Sequence, residues 1–414
     1  MFWAFATVGV IHRPLLDALA AHTQAMAHDF NCQELANTTW ACAKLAFQNV
    51  PVLSALSSSA SSKMAEFVPQ DFANISWALS KISFLDLPVM NGMGSLSREQ
   101  LREFNTQDLA NTAWAVANLQ LLYVPFMGAL ADCVDAQISQ FEGADFSSTA
   151  WSFSTLQMLY EPLQAAIAAE VRVKVSTLGP QQLGTLADLN LSCQDVVEEQ
   201  LRAVIEEFAR LVPGSAEGFL SGHYRRLVEE YATDNFGSWG DRLLLDLLGI
   251  ADGSCDFSAK ARKLAEEHAA RGNWWRNDGL LRPQVVSYAE VDVRAGAQQV
   301  FLAERFQLNG FDGWRPTQEW LRATPLPFNA LVDRSLCSEN QLLSKLCESI
   351  QAALPEMQPG LLSGHVQLYV TGAPCLSCVG AMVQFHLWFP KVKLLVAIGP
   401  DLQRDASHLL HLRC

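Results

Sequence analysis

Four residues near the C-terminal end carry the clearest chemistry. Cys337-Ser338-Glu339 places a thiol and a carboxylate two positions apart, and Pro374-Cys375-Leu376-Ser377-Cys378 follows. A Cys-x-x-Cys pair alone says little, but a Cys-x-Glu 38 residues ahead of it says more. Glu339, Leu342, Leu343, Leu346 and Ile350 outline one helical face, which puts Cys337 at a helix N-terminus. Pro374 suits the first turn of a second helix running to about Phe389. Cys375 and Cys378 are three apart, so both thiols face one way. Two helix N-termini converging on one point favour thiolates. Three thiolates can hold zinc and leave a fourth position for water. Zinc would bring that water's pKa near neutrality, and Glu339 would be placed to take its proton. The alternative is a closed structural zinc, which needs a fourth ligand. Cys347 lies roughly 15 Å along the helix from Cys337, at 1.5 Å per residue, and cannot reach. His365 and His386 remain candidates, but neither gives Glu339 a task.

The surrounding pattern predicts the elements that hold these residues. Gln284 to Val293 and Gln298 to Phe306 alternate as a hairpin. His365 to Val370 reads as a strand entering the second helix, and Lys393 to Gly399 as a strand leaving it. Strand, strand, helix, strand, helix, strand describes a layered α/β domain over residues 284–414. Between hairpin and first helix lie Leu308 to Asp333, with Trp314, Arg315, Trp320 and Arg322. These fit a substrate lid, or for the tryptophans the packed core of a long loop. Only 14 residues follow Pro400.

With those residues in view, the stretch from about 284 to 400 resembles the cytidine-deaminase-like superfamily, a three-layer α/β fold. Its signature is a His- or Cys-x-Glu followed by Pro-Cys-x-x-Cys. Residues 374–390 resemble the bacterial toxin-type members, which act on nucleic acids or nucleotides. The resemblance implies Cys337, Cys375 and Cys378 as Zn2+ ligands and Glu339 as the catalytic proton shuttle. It also implies deamination of a base, cytosine being the default.

The first half is periodic. Tryptophans recur at Trp3, Trp40, Trp77, Trp114 and Trp151, and prolines at Pro14, Pro51, Pro88, Pro125 and Pro162, at intervals of 37 residues throughout. Phe30, Phe67, Phe104, Phe141 and Leu178 keep the phase, as do Leu35, Phe72, Leu109, Phe146 and Leu183, and Leu19, Leu56, Met93, Leu130 and Ile167. A sixth copy is degraded, with Asp188 where tryptophan is due. Each unit reads as two helices. Leu109, Ala113, Trp114, Ala117 and Leu121 share one face; Pro69 and Pro180 suit a helix start; Glu34, Asp71, Asp108 and Asp145 suit its first turn; and Pro125 opens the second helix, with Phe126 and Leu130 inward. A pair cannot bury its apolar face alone, so stacked pairs form an all-α solenoid over residues 1–190. In-phase residues read as packing. Ligand contacts are expected at positions that vary between copies, such as Ala113 against Thr39, Ser76 and Ala150. The first copy starts in mid-helix at Met1-Phe2-Trp3, which fits a fragment or an odd cap. The Leu109-Ala-Asn-Thr-Ala-Trp114-Ala run and its copies resemble the octotricopeptide and heptatricopeptide repeats. That resemblance implies organellar RNA as partner, hence mitochondrion or chloroplast.

Residues 191–283 are helical in composition, a spacer or solenoid cap. Val196 to Leu211, Tyr224 to Tyr231, Arg242 to Leu248 and Ser258 to Gly272 are candidate helices, with a break at Pro213-Gly214-Ser215. Trp274, Trp275 and Arg276 fit base stacking or a buried anchor.

Charge bounds the partners. The 414 residues carry 29 Lys+Arg and 43 Asp+Glu, net −14. Residues 1–190 carry −8, residues 191–279 carry −6, and the rest is neutral. A generally basic nucleic-acid coat is excluded and an anionic membrane surface disfavoured. Hydrophobic residues make up 50%, enough for large cores. Ten cysteines, irregularly placed, fit a reducing compartment or a metal site rather than a disulfide scaffold. The uncharged run Leu109–Ala131 is long enough to span a membrane, but its polar residues and repeat phase argue against it.

The leading expectation is a zinc deaminase of a nucleobase in single-stranded RNA presented by the helical repeats. Such chemistry requires an unstacked base. Two rivals stand beside it. One is a non-catalytic organellar RNA-binding or RNA-processing factor on a deaminase scaffold. The other is a free nucleoside or nucleotide deaminase whose acidic solenoid binds proteins.

Overall fold

The computed structural model describes residues 1–158, 160–189, 191–252, 257–264, 286–296, 298–308, 316, 320–326, 334–353, 358–371 and 374–399. Internal contacts divide them into two compact units. One comprises residues 1–178 and 189–195; the other comprises 179–188, 196–252 and the described residues from 257 onward.

The first unit repeats with the period of its sequence. One series of helices spans Cys32–Lys44, Pro69–Lys81, Thr106–Asn118 and Gly143–Thr155. The other starts at Arg13, Val50, Leu87, Val124 and Glu161. Both series step by 37 residues. The in-phase acids turn onto the first-series N-termini. Glu34, Asp71, Asp108 and Asp145 accept from the backbone N–H of Asn31, Val68, Asn105 and Glu142 at 2.9, 3.3, 3.4 and 3.2 Å. These bonds satisfy N–H groups that the helix leaves open. A left-handed residue closes each first helix: Gly9, Ala46, Ser83, Gln120 and Gln157, again 37 apart. Consecutive units are tied by long polar reaches. Lys63 donates to the Phe30 carbonyl at 2.6 Å, Gln137 to Phe104 at 3.1 Å and Lys174 to Phe141 at 3.1 Å.

The in-phase aliphatic residues Leu35, Leu109, Leu183, Leu56, Leu130 and Ile167 are buried, as expected. Two expectations change. The varying positions Thr39, Ser76, Ala113 and Ala150 are buried, so they line no ligand surface. The in-phase tryptophans Trp40, Trp77, Trp114 and Trp151 are half-buried rather than within the core, with Trp40 and Trp77 packed against it.

In the second unit the Pro180–Ala187 helix ends at Asp188. The Asp188 carboxylate accepts from Ser238 N–H at 2.7 Å and Trp239 N–H at 3.0 Å, capping the Gly237–Leu247 helix. The degraded sixth copy is thus a joint within this unit. Gln194–Leu211 and His223–Tyr231 pack around Phe208, whose ring meets Tyr224, Tyr231 and Phe236 edge-on at 6.2, 5.0 and 5.2 Å.

A mixed five-stranded sheet follows. Its strands are β1 (Ala251–Asp252), β2 (Val286–Ala295), β3 (Gln298–Leu308), β4 (Ser363–Thr371) and β5 (Val392–Gly399), in the order β1-β5-β4-β2-β3. The β2–β3 and β2–β4 pairs are antiparallel, and β4–β5 and β1–β5 are parallel. Four strands match the expected runs within two residues. The fifth, β1, comes from the segment expected to be a spacer or solenoid cap. By its contacts, residues 196–252 of that segment belong with the sheet. The Ser338–Ala353 helix packs on β2, β3 and the Leu376–Trp388 helix, and the latter packs on β5.

No helix among the described residues is long and apolar enough to cross a membrane.

Candidate metal centre

The two helices start at the same place. Cys337 stands one residue before the Ser338–Ala353 helix, and its carbonyl accepts from Gln341 N–H at 3.0 Å. Cys375 is the N-cap of the Leu376–Trp388 helix, with its carbonyl accepting from Cys378 N–H at 2.8 Å. Pro374 lies just before that cap rather than within the first turn. The three Sγ atoms fall within 4.8 Å of one another, and Cys375 and Cys378 are 3.5 Å apart. Four ligands at a Zn–S distance of 2.3 Å require about 3.8 Å between sulfurs. The three thiols therefore fit one metal ion.

Their electrostatics suit the same purpose. Cys375 accepts from the Cys337 and Cys378 thiols, which holds its own thiol well below the ordinary range; Arg334 adds to this. The two donors are pushed up correspondingly. Cys375 is thus the thiol of the three that ionises most readily. Arg334 hydrogen-bonds Cys337 and reaches Asp234 at 3.3 Å, balancing charge at the cluster.

Glu339 stands beside the three sulfurs and is not one of the clustered ligands. Burial, then the Cys375 charge, raises its carboxyl to about 7. Ser338 Oγ donates to Glu339 Oε2 at 2.9 Å and accepts from Ser287 Oγ on β2 at 2.7 Å. A side chain so placed can hold or release a proton near neutral pH. Among the described residues, neither Cys347 nor His365 nor His386 joins the cluster. Cys347 is fully buried, and burial, then the Glu348 charge, drives its thiol up.

The described part of the expected lid is a strap. Thr324 N–H donates to Ser377 Oγ at 2.8 Å, and Gln384 bonds both backbone groups of Arg322 at 3.0 and 3.1 Å. Trp388 Nε1 donates to the Trp320 carbonyl at 2.8 Å, and Trp320 stacks on Phe389 at 6.1 Å and 17°. Trp320 is therefore packing, not a lid. Trp314, Arg315, Trp274, Trp275 and Arg276 lie outside the described residues.

Sequence reasoning missed the support from the middle segment. Tyr224 Oη donates to the Leu376 carbonyl at 2.6 Å, and the Asp234 carbonyl accepts from Leu376 N–H at 2.8 Å. A Cβ on Gly380 would lie 2.6 Å from the Tyr224 ring. No short-range pattern signals partners 152 residues apart.

Fold and site together define a helical-repeat unit followed by a mixed α/β unit with a three-cysteine cluster able to hold a metal ion. Over residues 1–161 the chain matches the family model of the RNA-editing substrate-binding complex 6 protein. No curated protein matches the chain.

Proposed function

We propose that this chain is a zinc-dependent deaminase of a nucleobase, cytosine by default, in single-stranded RNA. The observation that carries this reading is the convergence of three thiols at two helix N-termini beside a buried carboxyl that titrates near neutrality. The hairpin–helix–strand–helix–strand order supports a cytidine-deaminase-like fold. The match over residues 1–161 supports an RNA-editing context, and with it a mitochondrial setting.

Cys337, Cys375 and Cys378 would hold the zinc, leaving a position open. Bound zinc supplies the Lewis acidity that brings a water's pKa near 7. Glu339 moves both protons of the water, one to the ring nitrogen next to the amino-bearing carbon and one to the departing amine. Water and the aminopyrimidine are thereby converted to the oxo base and ammonia. The Ser287–Ser338 relay holds the carboxylate in one orientation. Arg334, hydrogen-bonded to Cys337, adds positive charge beside the thiols.

The test incubates zinc-loaded protein with single-stranded RNA and DNA pools, sequences them, and compares a Glu339→Ala control. Base changes that vanish in the control identify base and polymer together. No change in either pool overturns the reading on polymers, and ammonia release from free nucleosides then tests the mononucleotide alternative. A second reading has its own support: the matched family's description names substrate binding. On that reading the chain is a non-catalytic RNA-binding subunit with protein partners, and RNA retention survives Glu339→Ala with no base change.

A further inference from the structure

The first series of repeat helices shows one narrow stripe. In the Pro69–Lys81 and Thr106–Asn118 helices, every residue after the first is buried except four. These are Gln70, Asn74, Trp77 and Lys81 in one helix, and Gln107, Asn111, Trp114 and Asn118 in the next. Offsets of 0, 4, 7 and 11 lie on one helical face. The same offsets give Gln33, Asn37, Trp40 and Lys44 before them, and Ala144, Ser148, Trp151 and Thr155 after them, all exposed or half-buried. Consecutive helices of this series pack directly against each other, so the rows form a continuous grid. Along it the rings of Trp77, Trp114 and Trp151 follow each other at 6.3 Å, tilted by 37° and 31°.

The chemistry of the grid is selective. None of its sixteen positions is acidic, and two are lysine, in a chain of net charge −14. The nearest in-phase acids, Glu34, Asp71, Asp108 and Asp145, are folded onto helix N-termini. Tryptophan offers a face to a planar ring, and an amide side chain carries donor and acceptor together, although Asn118 donates its own to Ser80. A ladder of like rungs fits a polymer whose units are planar, carry amide edges and recur evenly. Nucleobases of a single strand meet all three conditions, and helical repeats can take one base per repeat.

We propose that this grid is a docking surface for single-stranded nucleic acid. A base stacks on the half-buried tryptophan of each repeat, and the Asn at the third position before it meets the base edge. The two lysines and Gln33, Gln70 and Gln107 flank the backbone. This rests on the reading of the repeats as the strand-presenting unit, but not on catalysis.

The experiment uses full-length protein with a fluorescein-labelled, mixed-sequence single-stranded RNA, with matching single-stranded DNA and duplex arms. Anisotropy gives affinity, and tryptophan quenching reports stacking. Asn74→Ala with Asn111→Ala, and Gln70→Ala with Gln107→Ala, are expected to weaken single-strand binding with unchanged thermal melting. Trp114→Ala is expected to weaken it about tenfold or more, the range for loss of one stacking platform. Ser54→Ala with Ser58→Ala, exposed on the second-series Val50–Lys63 helix, serves as the off-grid control and is expected to change nothing. Unchanged affinity in all grid variants overturns the proposal, as does failure of the parent protein to bind either single strand. Loss of binding in the grid variants with no base change by the parent upholds the surface and removes the deaminase reading alone.

Discussion

At the scale of single residues, the three cysteines and Glu339 have separable tasks. Substituting Ser for Cys337, Cys375 or Cys378 is expected to lower zinc content from about one ion per chain, because the set has no spare ligand. Glu339→Gln is expected to retain zinc and lose about 10²–10⁴ in turnover, the usual share of general acid–base catalysis. Zinc analysis and initial rates on the same preparations check both; a zinc-free Glu339→Gln would make the carboxylate a ligand instead. A second buried acid tests the same physics away from the cluster. Asp241 is fully buried, and burial, then Asp188 and Cys375, raise its carboxyl well above 3.8 against the Phe236 N–H bond. A raised folded value means the contribution is complete below 3.8 and fades as pH climbs through the folded pKa. Asp241→Asn keeps the acceptor for Phe236 N–H and removes the titration. Its urea midpoint should gain on the parent's as pH rises from 5 to 8, and parallel curves would refute the assignment. The clustered cysteines and Glu339 were legible in sequence because each motif is a short local spacing. Ser287, Tyr224 and Asp234 were not, because each comes to the two helix starts from a distant segment; Arg334 stands three residues before Cys337, but no motif marks it.

At the scale of elements, the repeat is a case where sequence and geometry share one period. Both helix series, the capping acids and the left-handed residues all step by 37. The left-handed closure was nevertheless invisible to composition, since only the first copy uses glycine there. Ala46, Ser83, Gln120 and Gln157 hold φ of 48°, 56°, 54° and 55°. A non-glycine residue in that region costs roughly 1–2 kcal/mol, partly offset by glycine's greater unfolded-state freedom. Ala46→Gly and Ser83→Gly are each expected to stabilise by about 0.5–1 kcal/mol. Denaturant titration checks this; a loss of stability at both sites would mean their carbonyl and side-chain neighbours outweigh the backbone conformation. The partial exposure of the tryptophans was hidden for a related reason. A period identifies what is shared by all copies, and both core and surface ladders are shared. Only the helical offsets 0, 4, 7 and 11, checked against burial, separate the two.

At the scale of the whole molecule, the sheet-bearing unit depends on chain far upstream of its chemistry. A boundary at residue 284 follows from where strand alternation begins, but β1 is two residues long and too short to show alternation. It pairs with β5 through Ala251↔Leu395 and Asp252↔Val396 and so lies at that edge of the sheet. Tyr224 is buried and holds the Leu376 carbonyl, and Asp234 holds Leu376 N–H, so the cap of the Cys375 helix is built from this segment. Arg242 adds a bond to the Ile398 carbonyl at 3.2 Å. Burying one tyrosine-sized side chain is worth roughly 2–3 kcal/mol, against a typical domain stability of about 5–15 kcal/mol. A fragment of residues 284–414 is therefore expected to lack a cooperative melt and to bind zinc weakly. A fragment of residues 179–414, which keeps Asp188, Tyr224, Asp234 and β1, is expected to melt cooperatively and retain zinc through gel filtration. Equal zinc retention by the two would make residues 179–252 an accessory layer and return the boundary to 284. Retention by the longer fragment alone would make this helical segment part of the metal-binding fold.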